Sequence, residues 1–458
     1  MFHSVKIFAL KTLLGDLYDL RYGTLGKLTK ASHKQAVTKY RIIRTRSYLI
    51  SDLEMIKELM IDQNKCYDKG TLAWSVISRV IGKSLLVSSG ELWRKQRQIA
   101  VPAFKAEQIS ELSSIFVDVA KECAQRWEEK SKNSESVDVG FEMMTTTATA
   151  AIRTLFGTDT NGDEYSEITD GIPRVISNLA NRISESGLPF WIPTKGNREF
   201  RHSIMPVNKL INKIIRQKRF EACKNAENQK GSTYLIDNLI NATNNLTGEG
   251  LSDRELRDEV IGYFYAGHTT TAVALTWIWI ILGQEEEYLR EIKEEIRVAV
   301  GERIPRFGDL EHLGKLKCGI LEAMRLYPPV WQLERRAIKG NMLLNLKVEK
   351  NDFIAFCTYA LHRNPKYWSN PNEFVPKRFE GDWNKRIDRY TFMPFGAGPR
   401  TCIGMSFAMI EMQLMLAYLI PRFDIKIPDA TSIKPKSHLS LKTDRPVHMW
   451  LKRTSIPI

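Results

Sequence analysis

The six cysteines, at positions 66, 123, 223, 318, 357 and 402, include no pair at CxxC spacing. Zinc and iron–sulfur centres built on such pairs are excluded. Thiols scattered this widely predict a reduced, intracellular chain. Nor is there a run of about 20 apolar residues, the length a spanning helix needs. Met1–Leu20 is interrupted by Lys6, Lys11, Asp16 and Asp19, which leaves neither a span nor a good signal peptide. A short amphipathic helix resting on a membrane is the membrane reading that remains for that stretch. The apolar run Ala272–Leu282, about 11 residues, has the length of a buried core helix. Basic residues outnumber acidic ones by 67 to 53, a net charge of +14, but no dense basic tract gathers them, which argues against nucleic acid. A solvated basic surface, an anionic membrane or an acidic protein partner is left. Internal repeats and long low-complexity tracts are absent too, and 43% hydrophobic residues in a chain of 458 suffice for a large core.

What is present reads as mostly helix with a small sheet. Val37–Arg44 and Ser47–Ile50 read as strands, Asp52–Met60 as a helix and Asp68–Ser89 as loop-rich. Helices are expected at Leu92–Ala100, Ser110–Ser131 and Met143–Phe156. Pro173, Pro189, Pro193 and Pro206 break helices between 170 and 230, and Asn225–Gly250 reads as an exposed, Asn-rich connector. Ser252 and Glu255 have capping-box spacing and open a helix that runs through Gly267 to about Gly283. Glu285–Val300 carries Glu/Lys pairs at helical spacing. Ala337–Phe356 is strand-like, and a last long helix follows Cys402 to about Leu419. No linker divides the chain, so residues 37–458 are expected to form one domain behind an N-terminal segment 1–36 that is amphipathic or surface-associated.

The densest chemical signal is Phe395-Gly396-Ala397-Gly398-Pro399-Arg400-Thr401-Cys402-Ile403-Gly404. Glycines allow the tight backbone that lets amide N–H groups approach a sulfur. A helix starting near Gly404 would turn its positive end to Cys402, which favours a metal-bound thiolate. Arg400 supplies a cation for an anionic group. The plainer alternative is a glycine-rich turn with an incidental cysteine.

This segment resembles the haem-binding loop of the cytochrome P450 family, and the resemblance runs from about Tyr40 to the C-terminal strands. It implies a mainly α fold with small β-sheets, a helical prism enclosing haem b, with Cys402 as the iron's axial ligand. Phe395, Arg400 and Gly404 are the loop's cofactor-binding residues. Glu322-Ala323-Met324-Arg325, followed by Leu326-Tyr327-Pro328-Pro329, resembles the family's ExxR segment, and Arg378 in Pro376-Lys377-Arg378-Phe379 would complete its ion-pair network. These residues, with His362-Arg363-Asn364-Pro365 and Trp368, are structural. Trp93 and Arg97, four apart on one helix face, fall where the family binds haem propionates. Arg335 is the further propionate partner, with Arg336 beside it as the competing choice.

Ala266-Gly267-His268-Thr269-Thr270-Thr271 resembles the oxygen-activating turn. Ala266 and Gly267 would leave room over the haem, and Thr270 would bond its own helix and deliver protons. The family usually has Asp or Glu where this chain has Thr269, so the proton relay departs from the pattern. His268 is the substitute candidate; a helical histidine here otherwise faces away or sits in a structural hydrogen bond.

The resemblance implies a monooxygenase acting on a lipophilic substrate, with a fatty acid ahead of a terpenoid or sterol. Lining segments are expected at Asp68–Ser89, 170–205, the 262–270 helix face, Val330–Glu334 and His438–Leu441. Trp74, Ile77, Phe190, Trp191, Phe264, Val330 and Trp331 make them apolar, or simply pack a core. No flavin or ferredoxin module is fused, so a separate ferredoxin or flavodoxin with its NAD(P)H reductase would donate electrons, near Arg94, Lys95 and Arg400. A soluble, bacterial-type, cytoplasmic monomer with at most peripheral membrane contact is expected. Two other functions compete: a haem-thiolate peroxygenase or isomerase/dehydratase, which the missing acid favours, and a haem sensor without turnover, which Thr270 opposes.

Overall fold

The structure, a computed structural model, describes residues 25–42, 45–157, 192, 194–224, 234–243, 248 and 250–454. They fall into two compact units, one of Met1–Thr71, Cys318–Cys402 and Ser432–Arg445, the other of Leu72–Lys317, Ile403–Thr431 and Pro446–Ile458.

The first unit is built on a five-stranded sheet. Its spatial order is Val37–Ile42, Thr45–Ile50, Phe353–Phe356, Leu333–Ala337 and Tyr67–Asp68. Only the pairing of Ser47 with Phe353 and its neighbours is parallel. Thr45–Ile50 is buried from Ser47 onward, as befits a strand inside the sheet. The helix Leu25–Lys34 packs Leu25 and Leu28 against Leu49, Trp331, Cys357, Ala360 and Leu441. The strand-like stretch expected from Ala337 begins four residues earlier, at Leu333, and holds a hairpin of Asn341–Leu343 and Leu346–Val348 that turns at Leu344 with φ 49°. Asp52 caps the helix Leu53–Lys57, accepting the Met55 N–H at 3.0 Å. The next turn widens to a π-helix, Glu58–Asp62, closed by the Gln63 N–H on Glu58 O at 2.9 Å.

The second unit is helical around Asp253–Leu282. Its capping box forms as expected, Ser252 Oγ accepting the Glu255 N–H and the Glu255 carboxylate accepting the Ser252 N–H. From Thr271 to Leu282 every residue is buried, which accounts for that apolar run. Val139–Phe156 packs beside it, capped by Asp138 and ended by Gly157 at φ 67°. Trp127 of Ser113–Lys132 lies edge-on to Trp279 and Phe423, with ring centres 5.4 and 5.6 Å away. A three-stranded sheet places His448–Arg453 between Val137–Asp138 and Phe423–Lys426.

Three local expectations are corrected. Leu72–Ile81, inside the stretch read as loop-rich, is a helix, because burial of Ile77, Val80 and Ile81 outweighs its β-branched residues. Pro206 sits inside the helix Lys195–Lys224 without ending it: packing of Ile204, Val207, Leu210 and Ile211 carries the helix across one missing N–H. Leu235–Asn241, in the expected connector, is a helix that buries Leu235, Ile236 and Leu239. Pro173, Pro189, Pro193, Phe190 and Trp191 lie outside the described residues.

Candidate functional site

In the first unit the segment Met393–Cys402 closes on itself. Gly396 N–H donates to Met393 O at 3.0 Å, Thr401 N–H to Gly398 O at 2.9 Å and Cys402 N–H to Phe395 O at 2.9 Å. Gly396 and Gly398 both take φ +73°. A Cβ on Gly398 would stand 2.2 Å from Met60 O, so close approach and left-handed backbone both require glycine there. The loop leaves Cys402 exposed, whereas Cys123, Cys318 and Cys357 are buried. Burial pushes the Cys123 thiol up to about 12 and the Cys357 thiol up to about 11, away from ionisation. Gly404 is the N-cap of the helix Met405–Leu419.

A buried network braces this loop. Arg325 donates to both Glu322 oxygens at 2.7 and 2.8 Å, and to the carbonyls of His362, Pro371 and Glu373 at 2.7 to 3.0 Å. Arg378 Nε reaches Glu322 Oε1 at 3.3 Å. His362 Nδ1 meets Arg325 O at 3.2 Å, and its Nε2 accepts the Met393 N–H at 2.9 Å. Burial beside Arg325 pushes this imidazole down to about 3, so it is neutral and donates through Nδ1. The ExxR helix is thereby tied to the first residue of the thiolate loop, as the structural reading of Glu322, Arg325, Arg378 and His362 requires.

The structure separates the two adjacent arginines. Arg336 is ion-paired with Asp68 at 2.7 Å. Arg335 is buried; it donates to Glu334 O at 2.9 Å, meets Met60 Sδ at 3.5 Å and has no carboxylate partner among the described residues. Burial, then the nearby Arg400 charge, pushes its guanidinium down to about 10, which leaves it charged at neutral pH. Two neighbouring cations, one of them buried, suit an anionic group. With an exposed thiol on a glycine-folded loop, these residues fit a haem: a sulfur for iron and guanidinium groups for propionates.

In the second unit, Trp93 and Arg97 are partly buried on the helix Gly90–Ala100, whose buried Gln96 donates to Lys83 O at 2.6 Å. Arg94 pairs with Glu91, and Lys95 lies 3.6 Å from Glu255, which partly offsets the basic donor face expected there. On Asp253–Leu282, Thr270 donates to Ala266 O at 2.7 Å and Thr271 to Gly267 O at 2.8 Å. The helix stays α-helical through this turn, without a bulge. Outside its own helical turn, no atom of the described residues lies within 4 Å of where a Gly267 Cβ would stand, so the expected room exists beside it. His268 is buried and stacked on Phe264 at 4.5 Å; its Nδ1 meets Phe264 O at 2.7 Å and its Nε2 meets the Thr269 hydroxyl at 3.1 Å. Its carbonyl accepts the Thr147 hydroxyl at 3.0 Å. The imidazole therefore sits in structural hydrogen bonds.

Of the expected lining residues, Phe264 and Trp331 belong to packed cores and Ile77 is buried, while Trp74 and Val330 are partly exposed. Two buried acids whose carboxyls are raised into the neutral range escaped sequence reasoning. Glu259 accepts the Leu85 N–H on both oxygens, at 3.0 and 3.1 Å, and burial pushes it up to about 7. Glu411 is 1% exposed and pushed by burial up to about 8. It is the lone charged residue of Met405–Leu419, a signal the sequence did contain.

Comparison with known proteins fits this geometry. The family model Cytochrome P450 matches residues 10–450. The cytokinin hydroxylase of Arabidopsis thaliana is 31% identical over 88% of this chain and 78% of its own. The cyclooctatin synthase of Streptomyces melanosporofaciens is 28% identical over 88% and 85%, and the cyclooctat-9-en-7-ol 5-monooxygenase of the same organism 28% identical over 92% and 89%. The crystal structure of the cytochrome P450DA heme domain shares the fold, with TM-score 0.86 at 22% identity over 96% of this chain and 95% of that one. The mainly helical fold with small sheets defines a haem-thiolate enzyme of the monooxygenase class. The chain belongs to the cytochrome P450 family, whose members bind haem through a cysteine thiolate and draw electrons from a redox partner.

Proposed function

We propose that this enzyme hydroxylates a compact, lipophilic ring or terpenoid-type molecule, with a fatty acid second. The relatives named for cyclooctat-9-en-7-ol and for cytokinins support that order. In this reading Cys402 holds the iron, and Arg335, Arg400, Trp93 and Arg97 hold the propionates, with Phe395 and Gly404 shaping the loop. Bound haem supplies electron acceptance and oxygen activation. Thr270, bonded to Ala266 O, holds a proton beside the space at Gly267. His268 orients Thr269 and keeps its own ring out of exchange with water. The carrying observation is the exposed Cys402 on a loop that only glycines can fold. Electrons come from a separate ferredoxin or flavodoxin. We also propose a soluble, bacterial-type, cytoplasmic monomer, of which the two Streptomyces relatives support the bacterial type. No single helix among the described residues is long and apolar enough to cross a membrane.

The test is a spectral titration of the haem-loaded protein with a cyclic terpene alcohol, a cytokinin and lauric acid, followed by turnover with NAD(P)H, ferredoxin and reductase. A spin shift and hydroxylated product with the terpene alcohol support the order given. Product with lauric acid alone reverses it. Product with hydrogen peroxide but none with electron donors moves the enzyme to the peroxygenase class.

A further inference from the structure

Gln96 is 1% exposed, although it stands between Trp93 and Arg97 on the helix Gly90–Ala100. An amide buried so completely has to find its partners inside the protein. Its Nε2 donates to Lys83 O at 2.6 Å, and its Oε1 accepts the Ser88 hydroxyl. Both ends of the strap Lys83–Ser88 are thereby tied to the helix. The strap itself turns tightly, with the Val87 and Ser88 N–H groups both donating to Ser84 O, at 3.0 and 2.9 Å. From its other side it is gripped by the helix Asp253–Leu282. Asp258 accepts the Lys83 N–H at 2.7 Å, and Glu259 accepts the Leu85 N–H on both oxygens. Arg257 holds Asp258 at 2.6 Å and reaches Val80 O at 3.3 Å. Ser84 is fully buried, and a Cβ on Gly262 would stand 2.6 Å from its Oγ, so the two segments touch. Gly82 enters the strap at φ +60°, where a Cβ would run into the Asp258 carboxylate. Three consecutive residues of one helix thus fix Val80, Lys83 and Leu85. Lys83 passes the grip on, its N–H held by Asp258 and its carbonyl by Gln96.

We propose that Gln96 is a positioning residue for haem: anchored through Lys83 to Asp258, it fixes the rotation of the helix Gly90–Ala100 and so the direction in which Arg97 and Trp93 meet the propionates. Neighbouring residues of an α-helix stand about 100° apart around its axis, so a turn of Gln96 turns Arg97 by the same angle. Trp93 and Arg97, four apart, share the face that moves with it. Gln96 acts through Arg97 rather than on the haem itself. This role rests on the reading of Trp93 and Arg97 as propionate residues, not on the substrate proposed above.

Haem transfer from the ferric protein to apomyoglobin, read beside resonance Raman spectra of the haem-loaded protein, tests it on Gln96→Leu, Ser88→Ala, Arg97→Leu and the Gln96→Leu/Arg97→Leu double variant. Leucine is of similar size, stays buried and deletes both bonds of Gln96. Haem should leave Gln96→Leu about fivefold faster than wild type, the value of a hydrogen bond, and the propionate bending band should shift as it does in Arg97→Leu. Ser88→Ala deletes one of the two bonds; it should shift the same band by less, and it carries the test if Gln96→Leu does not fold. The double variant should lose haem no faster than Arg97→Leu, because no guanidinium is left to be aimed. A wild-type transfer rate with an unmoved band in Gln96→Leu and Ser88→Ala, beside a moved band in Arg97→Leu, overturns the positioning role and spares the propionate reading. Fully additive losses in the double variant overturn it as well, since packing alone would give them. If Arg97→Leu neither speeds transfer nor moves the band, the propionate reading itself fails and the role of Gln96 falls with it.

Discussion

Arg335 and Arg336 share a residue type and a neighbourhood in sequence, yet only Arg336 has an acid, Asp68. Arg335 carries its burial and its repulsion from Arg400 with no ion pair among the described residues, and the neighbouring Glu334 charge offsets them only in part. Removing it should therefore relieve the apoprotein and weaken the holoprotein. Arg335→Leu is expected to raise or keep the thermal midpoint of the apoprotein while haem passes to apomyoglobin roughly 10- to 100-fold faster, the value of a charged hydrogen bond. Faster transfer from Arg336→Leu than from Arg335→Leu would reverse the assignment. The network behind the loop obeys the opposite rule, since Glu322 and Arg325 are fully buried and mutually satisfied. Arg325→Met leaves buried Glu322 with Arg378 as its one remaining cation, at 3.3 Å, and should cost about 3 kcal/mol in urea unfolding. The tight loop around Cys402 and the pairing of Glu322 with Arg325 were legible because both depend on short local spacing. The surroundings of Arg335 and Glu411 were not, because they are set by groups far away in sequence, Arg400 and Thr271 among them.

At the scale of elements, the loop before Cys402 and the helix Asp253–Leu282 use glycine for opposite reasons. Gly398 has φ +73° and no room for a Cβ against Met60 O. Gly267 is helical with open space beside it. Gly398→Ala is expected to lower the thermal midpoint and abolish stable haem uptake, while Gly267→Ala should fold and load normally, since alanine favours a helix by about 1 kcal/mol over glycine. Equal haem occupancy in the two variants would contradict this reading of the loop. The long helices, the capping box at Ser252 and the first two strands were legible from periodicity and local polar signals. The helix Leu72–Ile81, the π-turn Glu58–Asp62 and the passage of Lys195–Lys224 through Pro206 were not, because packing overrides local preference there.

At the scale of the whole molecule, the two buried acids set a pH dependence. Burial raises Glu259 to about 7 and Glu411 to about 8 from 4.5. A folded chain that holds protons the unfolded chain has lost becomes less stable as pH rises from about 4.5 through those values. Between pH 6 and 8 the two together should cost about 4 kcal/mol, at roughly 1.4 kcal/mol per unit. Glu259→Gln with Glu411→Gln keeps an acceptor for the Leu85 N–H and should flatten that fall, read as urea unfolding at both pH values. An identical fall in wild type and double variant would show that these carboxyls ionise as exposed ones do. The two-unit division was not legible in the sequence, where no linker stands, because each unit is assembled from three separate stretches of chain.

The haem-thiolate assignment meets its most direct test in the absorption spectrum of the reduced protein under carbon monoxide, for wild type and Cys402→Ser. Ligation by Cys402 predicts the strongly red-shifted Soret band of thiolate-bound haem in wild type and its loss in the variant. A folded, haem-loaded wild type with only the band of histidine-ligated haem would contradict it, and the catalytic roles built on Cys402 would fall together.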